Sequence, residues 1–279
     1  MRKEVIYAVL AGISIGLIAA FGTWKVSRFV KVTPAPVVKK ETPTPQPFFD
    51  ITILNLKNFD VITSNTLIKG KATPNTNVIV STAEKDYIKK TDSNGLFEVD
   101  IELPTGISEV KFSDTSTIST QKISLVYSAE AEEGSVSYVG TVTDISSGTI
   151  QIKNSSSGIV QASVAEGTKY INNLKKNIEI KESDLAIGDY IIAIGKLGTG
   201  KVLQSKLILV TSPATTNSYQ FEKITIEKLS KTKLNEITLP KTWNGPDIKE
   251  LEEGQVIYIV GSESDDKTYT LRSIFSTEI

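Results

Sequence analysis

From Val5 to Phe21 the chain runs VIYAVLAGISIGLIAAF, seventeen consecutive residues without a charge. Extended by Gly22, Thr23 and Trp24, the run reaches the roughly 20 residues that cross a ~30 Å hydrocarbon layer, where a helix satisfies its own backbone. The sequence therefore predicts a transmembrane helix over 5–24 with the bilayer as its partner, and takes this stretch out of any globular core. Arg2 and Lys3 precede it, and Trp24, Lys25 and Arg28 follow as an interfacial aromatic and snorkelling cations. That arrangement suits an anchor that is retained. The rival is a cleaved signal peptide. Ala20-Phe21-Gly22 offers small residues at the two positions a peptidase needs, but the run exceeds the usual apolar stretch of ~7 to 15 residues. Counting flanking cations alone places the C-terminus in the cytoplasm. A four-residue N-terminus carrying two basic groups instead reads as a signal-anchor, with residues 1–4 cytoplasmic and everything after 24 extracytoplasmic. Ala8, Gly12, Gly16 and Ala20 recur at four-residue spacing on one helix face, a small-residue stripe that permits pairing into a homo-oligomer. The alternative is ordinary Gly/Ala usage in a membrane helix.

Residues 25–47 form a stalk. Its stretch VTPAPVVKKETPTPQP (32–47) holds five prolines, favours extended polyproline II, cannot build a core, and reaches about 50 Å at ~3.1 Å per residue. A Pro-rich ligand for an SH3-type domain is the competing reading.

The 279 residues contain no cysteine and no histidine, which removes disulfides, thiolate or imidazole metal sites, Cys nucleophiles and His-based triads. No cofactor or metal is expected. Lipid attachment at a lipoprotein cysteine is excluded as well. The first 31 residues carry five basic groups against Glu4, so the remainder of this net −1 chain is acidic at −5. That balance argues against nucleic acid as a partner.

Phe97-Glu98-Val99-Asp100-Ile101-Glu102-Leu103 alternates apolar and acidic residues, the period of a strand with one wet face. Thr91-Asp92-Ser93-Asn94-Gly95 precedes it as a turn suited to a tight hairpin. Further β runs are expected at Ile51 to Leu56, Thr66 to Lys71, Asn77 to Ser81, Glu109 to Phe112 and Lys122 to Tyr127. About seven strands over 48–129 predict a small antiparallel sandwich. The stretches Ser64 to Val78, Asp92-Ser93-Asn94-Gly95-Leu96-Phe97 and Leu103-Pro104-Thr105-Gly106 resemble bacterial Ig-like modules related to the glucodextranase B domain. The resemblance implies a fold; such modules serve as spacers, adhesive units and enzyme appendages. Asp92 and Asn94 invite a calcium reading, but the further oxygen ligands and the terminal bidentate Glu of an EF-type loop are missing.

After a linker at 130–136, a shift of 66 residues superposes Leu185, Gly188, Ile191, Ile192, Ile194, Gly195 and Ile208 on Leu251, Gly254, Ile257, Tyr258, Val260, Gly261 and Ile274. This is an internal repeat. Gly140 to Ile145 and Thr149 to Lys153 form a hairpin around Ser146-Ser147-Gly148, echoed by Ile224 to Leu229 and Glu236 to Leu239. Gly195 and Gly261 close apolar runs where a barrel strand bends. Residues 137–212 resemble an uncharacterised OB-like β-barrel family of bacterial envelope proteins that has no established activity. After a linker at 213–217, residues 218–279 are a divergent second copy, with Trp243-Asn244-Gly245-Pro246 where the first has Ala165 to Lys169. The expected fold class is all-β: transmembrane helix, Ig-like sandwich, then two small OB-like barrels in tandem.

Carboxylates are the remaining catalytic candidates, and glycoside hydrolysis needs two across a cleft. Asp265-Asp266 sit in a polar turn and Glu130, Glu132 and Glu133 in a linker, where solvated charge is the default, so no catalytic residue is expected. Trp243 suits stacking on a sugar ring, with Tyr258 and Tyr269 as further saccharide- or partner-binding candidates; closure of a barrel end is the alternative role for Trp243. Single-strand binding through Tyr170, Tyr190, Tyr258 and Tyr269 conflicts with the acidic balance. The expectation is a non-enzymatic, membrane-anchored envelope protein acting as a structural or adhesive display module. The alternatives are a module binding cell-wall saccharide or an accessory subunit of an envelope complex, with cell-wall polymer or other surface proteins as partners.

Overall fold

The structure, a computed structural model, describes residues 50–117, 119–154, 158–214, 219–263 and 269–277. The expected membrane helix over 5–24, its stripe of Ala8, Gly12, Gly16 and Ala20, the stalk, and Asp265-Asp266 lie outside the described residues. Among the described residues no helix is long and apolar enough to cross a membrane. Regular structure there is β throughout, apart from four short 3-10 turns.

The first module uses eight strands: β1 (Thr52–Ile53), β2 (Val61–Ile62), β3 (Thr66–Lys71), β4 (Asn77–Ser81), β5 (Asp86–Lys90), β6 (Leu96–Ile101), β7 (Gly106–Asp114) and β8 (Thr120–Tyr127). They form a three-stranded sheet, β1-β3-β6, and a five-stranded sheet, β2-β8-β7-β4-β5. In β6 the alternation is realised residue by residue, with Phe97, Val99 and Ile101 buried and Glu98 and Asp100 exposed. The two inner faces share one core built from Ile68, Val99 and Ile101 on one side and Val78, Val80, Val110, Phe112 and Leu125 on the other. The expected tight hairpin at Asn94-Gly95 is instead a crossover between sheets, since β5 pairs with β4 and β6 with β3. Its geometry comes from Asp92, whose Oδ1 accepts both the Asn94 and Leu96 N–H at 2.8 Å. Gly95, at φ 81°, passes so close to the Ala72 carbonyl that a Cβ would lie 2.2 Å from it.

The second module is a closed barrel. β9 (Val136–Ser146), β10 (Thr149–Asn154) and β11 (Gly158–Ser163) run in sequence, and β14 (Tyr190–Leu197) and β15 (Leu203–Thr211) complete the ring β9-β10-β11-β15-β14. Closure is parallel, Ala162 facing Leu203. The expected β9–β10 hairpin is present, its turn made by Ser147 and Gly148 at φ 49° and 71°. The hairpin of β12 (Lys169–Asn172) and β13 (Ile178–Ile180) hangs from the far part of β15.

Among the described residues the second copy does not close into a barrel. β16 (Gln220–Thr225), β19 (Val256–Glu263) and β20 (Tyr269–Ser276) form an open three-stranded sheet, while β17 (Lys233–Leu234) and β18 (Ile237–Thr238) form a separate ribbon, tied to the chain before it by an antiparallel bridge between Leu229 and Leu234. The echo expected at Ile224 to Leu229 and Glu236 to Leu239 does not form, because Ile237–Thr238 pairs with Lys233–Leu234 and Leu229 bridges Leu234 instead. Along β20 the strand β12 is reduced to one parallel bridge, Asn244 to Ser273.

Where the copies do correspond, the match reaches single hydrogen bonds. Gly188 and Gly254 (φ 97° and 89°) donate to the Val142 and Ile226 carbonyls, and these residues donate back to Asp189 and Gln255. Asp189 Oδ2 accepts from Ala186 N–H as Gln255 Oε1 accepts from Glu252 N–H. Register slips between Ile194 and Gly195 in one copy and between Val260 and Gly261 in the other, a bulge at the same repeat position.

Both copies also dock through the same face. Ile192, Ile194 and Leu209 of the barrel pack with Val126, Val61 and Ile107 of the sandwich. Sixty-six residues on, Tyr258, Val260 and Phe275 pack with Ile79 and Ile88. All five sandwich residues belong to the outer face of the five-stranded sheet, so its two halves are covered by the two copies. Residues 48–279 accordingly form one compact unit.

Candidate functional site

Trp243 sits in the irregular segment after β18, where Gly245 permits a backbone path that leaves only 2.0 Å between a would-be Cβ and the Ile274 carbonyl. Its ring packs against the core of the second copy, which includes Leu234 and Leu271, and its Nε1 donates to the Pro246 carbonyl at 2.9 Å. The ring is half-buried, and with Lys241, Thr242, Gly245, Pro246 and Asp247 it lines a surface cleft of about 270 Å³. A larger cleft, about 660 Å³, follows along the same chain segment, with Glu250, Glu252, Glu253 and Gln255 facing Ser276 and Thr277. Some of these polar groups already serve the fold: Glu253 Oε1 accepts from Leu229 N–H at 3.1 Å, and Thr277 donates to the Val256 carbonyl at 2.9 Å.

The three aromatic candidates do not converge. Tyr258 is 6% exposed, within the joint to the sandwich and edge-on to Phe221 at 6.4 Å, so it has no face to offer a ligand. Tyr269 packs into the second copy's core, on the opposite face of the sheet from Tyr258. Its ring lies over Gly261, where a Cβ would come within 2.4 Å of it. Its hydroxyl is buried without a hydrogen-bond partner; burial, then the nearby Glu222 carboxylate, pushes its pKa up. Tyr170 in the barrel core is likewise pushed up to about 12 by burial and by Glu182.

The barrel carries its own cleft of about 480 Å³ between β11 and the β14–β15 turn, lined by Tyr138, Ile159, Gln161 and Lys201. Tyr138 holds this turn in place by donating its hydroxyl to the Lys201 carbonyl at 2.6 Å.

The densest polar constellation is one that sequence reasoning missed. Asp86 opens β5, and its side chain is 0% exposed. Arg272 on β20 meets it with two nitrogens, Nε to Oδ2 at 2.8 Å and Nη2 to Oδ1, while Nη1 donates to the Ala83 carbonyl at 3.0 Å. Ser273 donates to Oδ2 at 2.5 Å, and the Asn244 amide to the Asp86 carbonyl at 3.1 Å. The guanidinium also lies over the Tyr219 ring, 3.8 Å from its centroid. Beside it Lys111 donates to the Tyr219 carbonyl at 2.9 Å. Burial, then repulsion from Lys122, lowers the Lys111 pKa against the opposing pull of Glu109. One signal for the pair lay in the sequence: Arg272 is the single arginine after Arg28 in a body whose other cations are lysine. Two-pronged recognition of a carboxylate is the task for which lysine cannot substitute.

Among the described residues no three carboxylates group so as to hold a metal ion. Asp92, the calcium candidate, spends its Oδ1 on backbone N–H groups of its own turn. Compared with known proteins, the chain matches no family model and no curated protein.

Proposed function

We propose that this chain is a non-enzymatic, single-pass membrane-anchored envelope protein. In this reading an Ig-like sandwich, an OB-like barrel and an open relative of that barrel are displayed outward on a Pro-rich stalk as a structural or adhesive unit. The observation that carries it is the double docking: Ile192, Ile194 and Leu209 and their repeat counterparts Tyr258, Val260 and Phe275 fix both copies to one sheet. With both docks closed, a presentation module benefits from such stiffness, because surfaces held in fixed relation lose less entropy on engaging a partner. The strand order β9-β10-β11-β15-β14, with its parallel closure, agrees with the OB-like resemblance. The Ig-like reading draws its support from the packing of two sheets over one core.

Protease treatment of intact cells, followed by immunoblotting for the C-terminal copy, tests the placement. Loss of that signal with a remnant in the membrane fraction is expected. Protection in intact cells with digestion after lysis overturns outward display.

A second reading, binding of cell-wall saccharide, is favoured by the Trp243 cleft and the polar cleft that follows it along residues 241–256. In its cleft the half-buried indole, flat and apolar with a polar edge, has Lys241, Thr242 and Asp247 beside it, which suits stacking on a sugar ring with polar contacts at its rim. Under this reading Trp243→Ala lowers retention on isolated cell wall at least tenfold while the sandwich and barrel stay folded. No retention by the unsubstituted chain rejects it.

A further inference from the structure

The two docked copies are held to the sandwich by different physics. At the first joint the cluster is apolar and extensive, with Val126, Val139, Ile171, Ile192, Ile194, Leu207 and Leu209 all buried. At the second only Ile79, Tyr258 and Val260 are buried, with Ile88, Tyr219, Phe221 and Phe275 partly so. The repeat shows what was exchanged. Leu207 of the first joint corresponds to Ser273, and the exposed Lys206 corresponds to Arg272, so an apolar contact has become a buried carboxylate–guanidinium site. Asp86 is fully enclosed, whereas Arg272 keeps 15% of its side chain exposed.

A pair of this kind contributes little net stability over an apolar contact of the same shape, because desolvation offsets the attraction. Removal of one partner is another matter, since it leaves a bare charge that regains water only if its cover lifts.

We infer that the C-terminal copy, residues 219–277, is a releasable clamp on the β4–β5 half of the sandwich, latched by Asp86 and Arg272. The barrel, by contrast, is fused to the other half through an apolar core. The latch also caps the start of the edge strand β5, because Arg272 and Asn244 donate to the Ala83 and Asp86 carbonyls. Release uncovers Ile79 and Ile88 on the sandwich and Tyr258, Phe221 and Phe275 on the clamp, two apolar faces that closure keeps from neighbours.

The test uses spin labels on the full chain, which has no native cysteine to compete. Labels at Asp100→Cys and Glu236→Cys, both exposed and away from the joint, give an inter-label distance distribution. Trp243 emission in a Trp24→Phe background reports whether the clamp itself is folded. The unsubstituted joint gives a narrow distribution. Arg272→Ala strands the Asp86 carboxylate and raises the open fraction roughly a hundredfold, so the distribution broadens while Trp243 emission stays native. Asp86→Ala broadens it less, because Arg272 turns outward to water, and it leaves every residue of the clamp in place. Asp86→Leu with Arg272→Met closes the joint again. A narrow distribution in both single variants, loss of native Trp243 emission in both, or an open joint in the double replacement overturns the latch.

Discussion

Gly195 and Gly261 show how much one missing side chain decides. At Gly195 a Cβ would sit 1.9 Å from the Gln204 carbonyl, at the bulge where β14 bends to close the ring. Gly195→Ala therefore costs about 3 kcal/mol or more, read as a lowered urea midpoint, because backbone rather than a yielding side chain is in the way. Tyrosines set the alkaline limit. Burial raises the pKa of Tyr170, Tyr190 and Tyr269, so each binds its proton more tightly folded than unfolded. Their contribution is complete below the ordinary tyrosine value of 10.0 and is lost as pH climbs towards the folded values, about 12 for Tyr170. Stability should fall steeply above pH 10, with the tyrosinate absorbance of these three appearing at unfolding rather than before it. Non-cooperative titration of all three in the folded protein would contradict this. The glycines were legible as bends because they end apolar runs. Asp86 was not, because nothing local distinguishes a buried aspartate at a strand start from a solvated one.

Elements were legible in proportion to how much of their packing is local. The ranges of β3 and β4 follow from the sequence alone, and the alternation in β6 announces its wet and dry faces. β5 was missed. Its Asp86-Tyr87-Ile88-Lys89-Lys90 lacks clean alternation because Tyr87 serves the sandwich core while Ile88 serves the joint, two burials of which neither is visible locally. β18 shows the opposite failure. Ile224 to Leu229 and Glu236 to Leu239 read as the hairpin of the first copy, but Ile237–Thr238 pairs with Lys233–Leu234, which does not read as a strand from the sequence. The β7–β8 turn rests on Asp114, fully buried, whose carboxylate accepts from Thr73 N–H at 3.0 Å, Ser116 N–H at 2.8 Å and the Ser116 hydroxyl at 2.7 Å. Burial raises its pKa, the hydrogen bonds lower it, and the net shift is downward. Its stabilisation is therefore present above the ordinary 3.8 and is lost as pH falls through the lower folded value. Asp114→Ala should cost about 3 kcal/mol at neutral pH, since two backbone donors lose their acceptor. The acid limb of its stability curve should flatten correspondingly, and an unchanged limb would remove Asp114 as the cause.

At the scale of the molecule, the sequence marks the modules and the repeat but not their joints, because outward apolar residues on a strand look the same whether they face another module or water. The barrel and sandwich share the core around Val126 and Ile192. They should melt in one calorimetric transition, and Ile192→Asp, which places a charge there, should split it into two. A single transition in that variant would mean that the modules are coupled elsewhere. The repeated face has a final consequence for how such a chain grows. The five-stranded sheet offers two berths, one at β2, β8 and β7 and one at β4 and β5, and both are taken. A third copy added by further duplication would find no berth and would carry its apolar face bare into solvent. The architecture is saturated at two, and a longer version would have to bring its own sandwich with it.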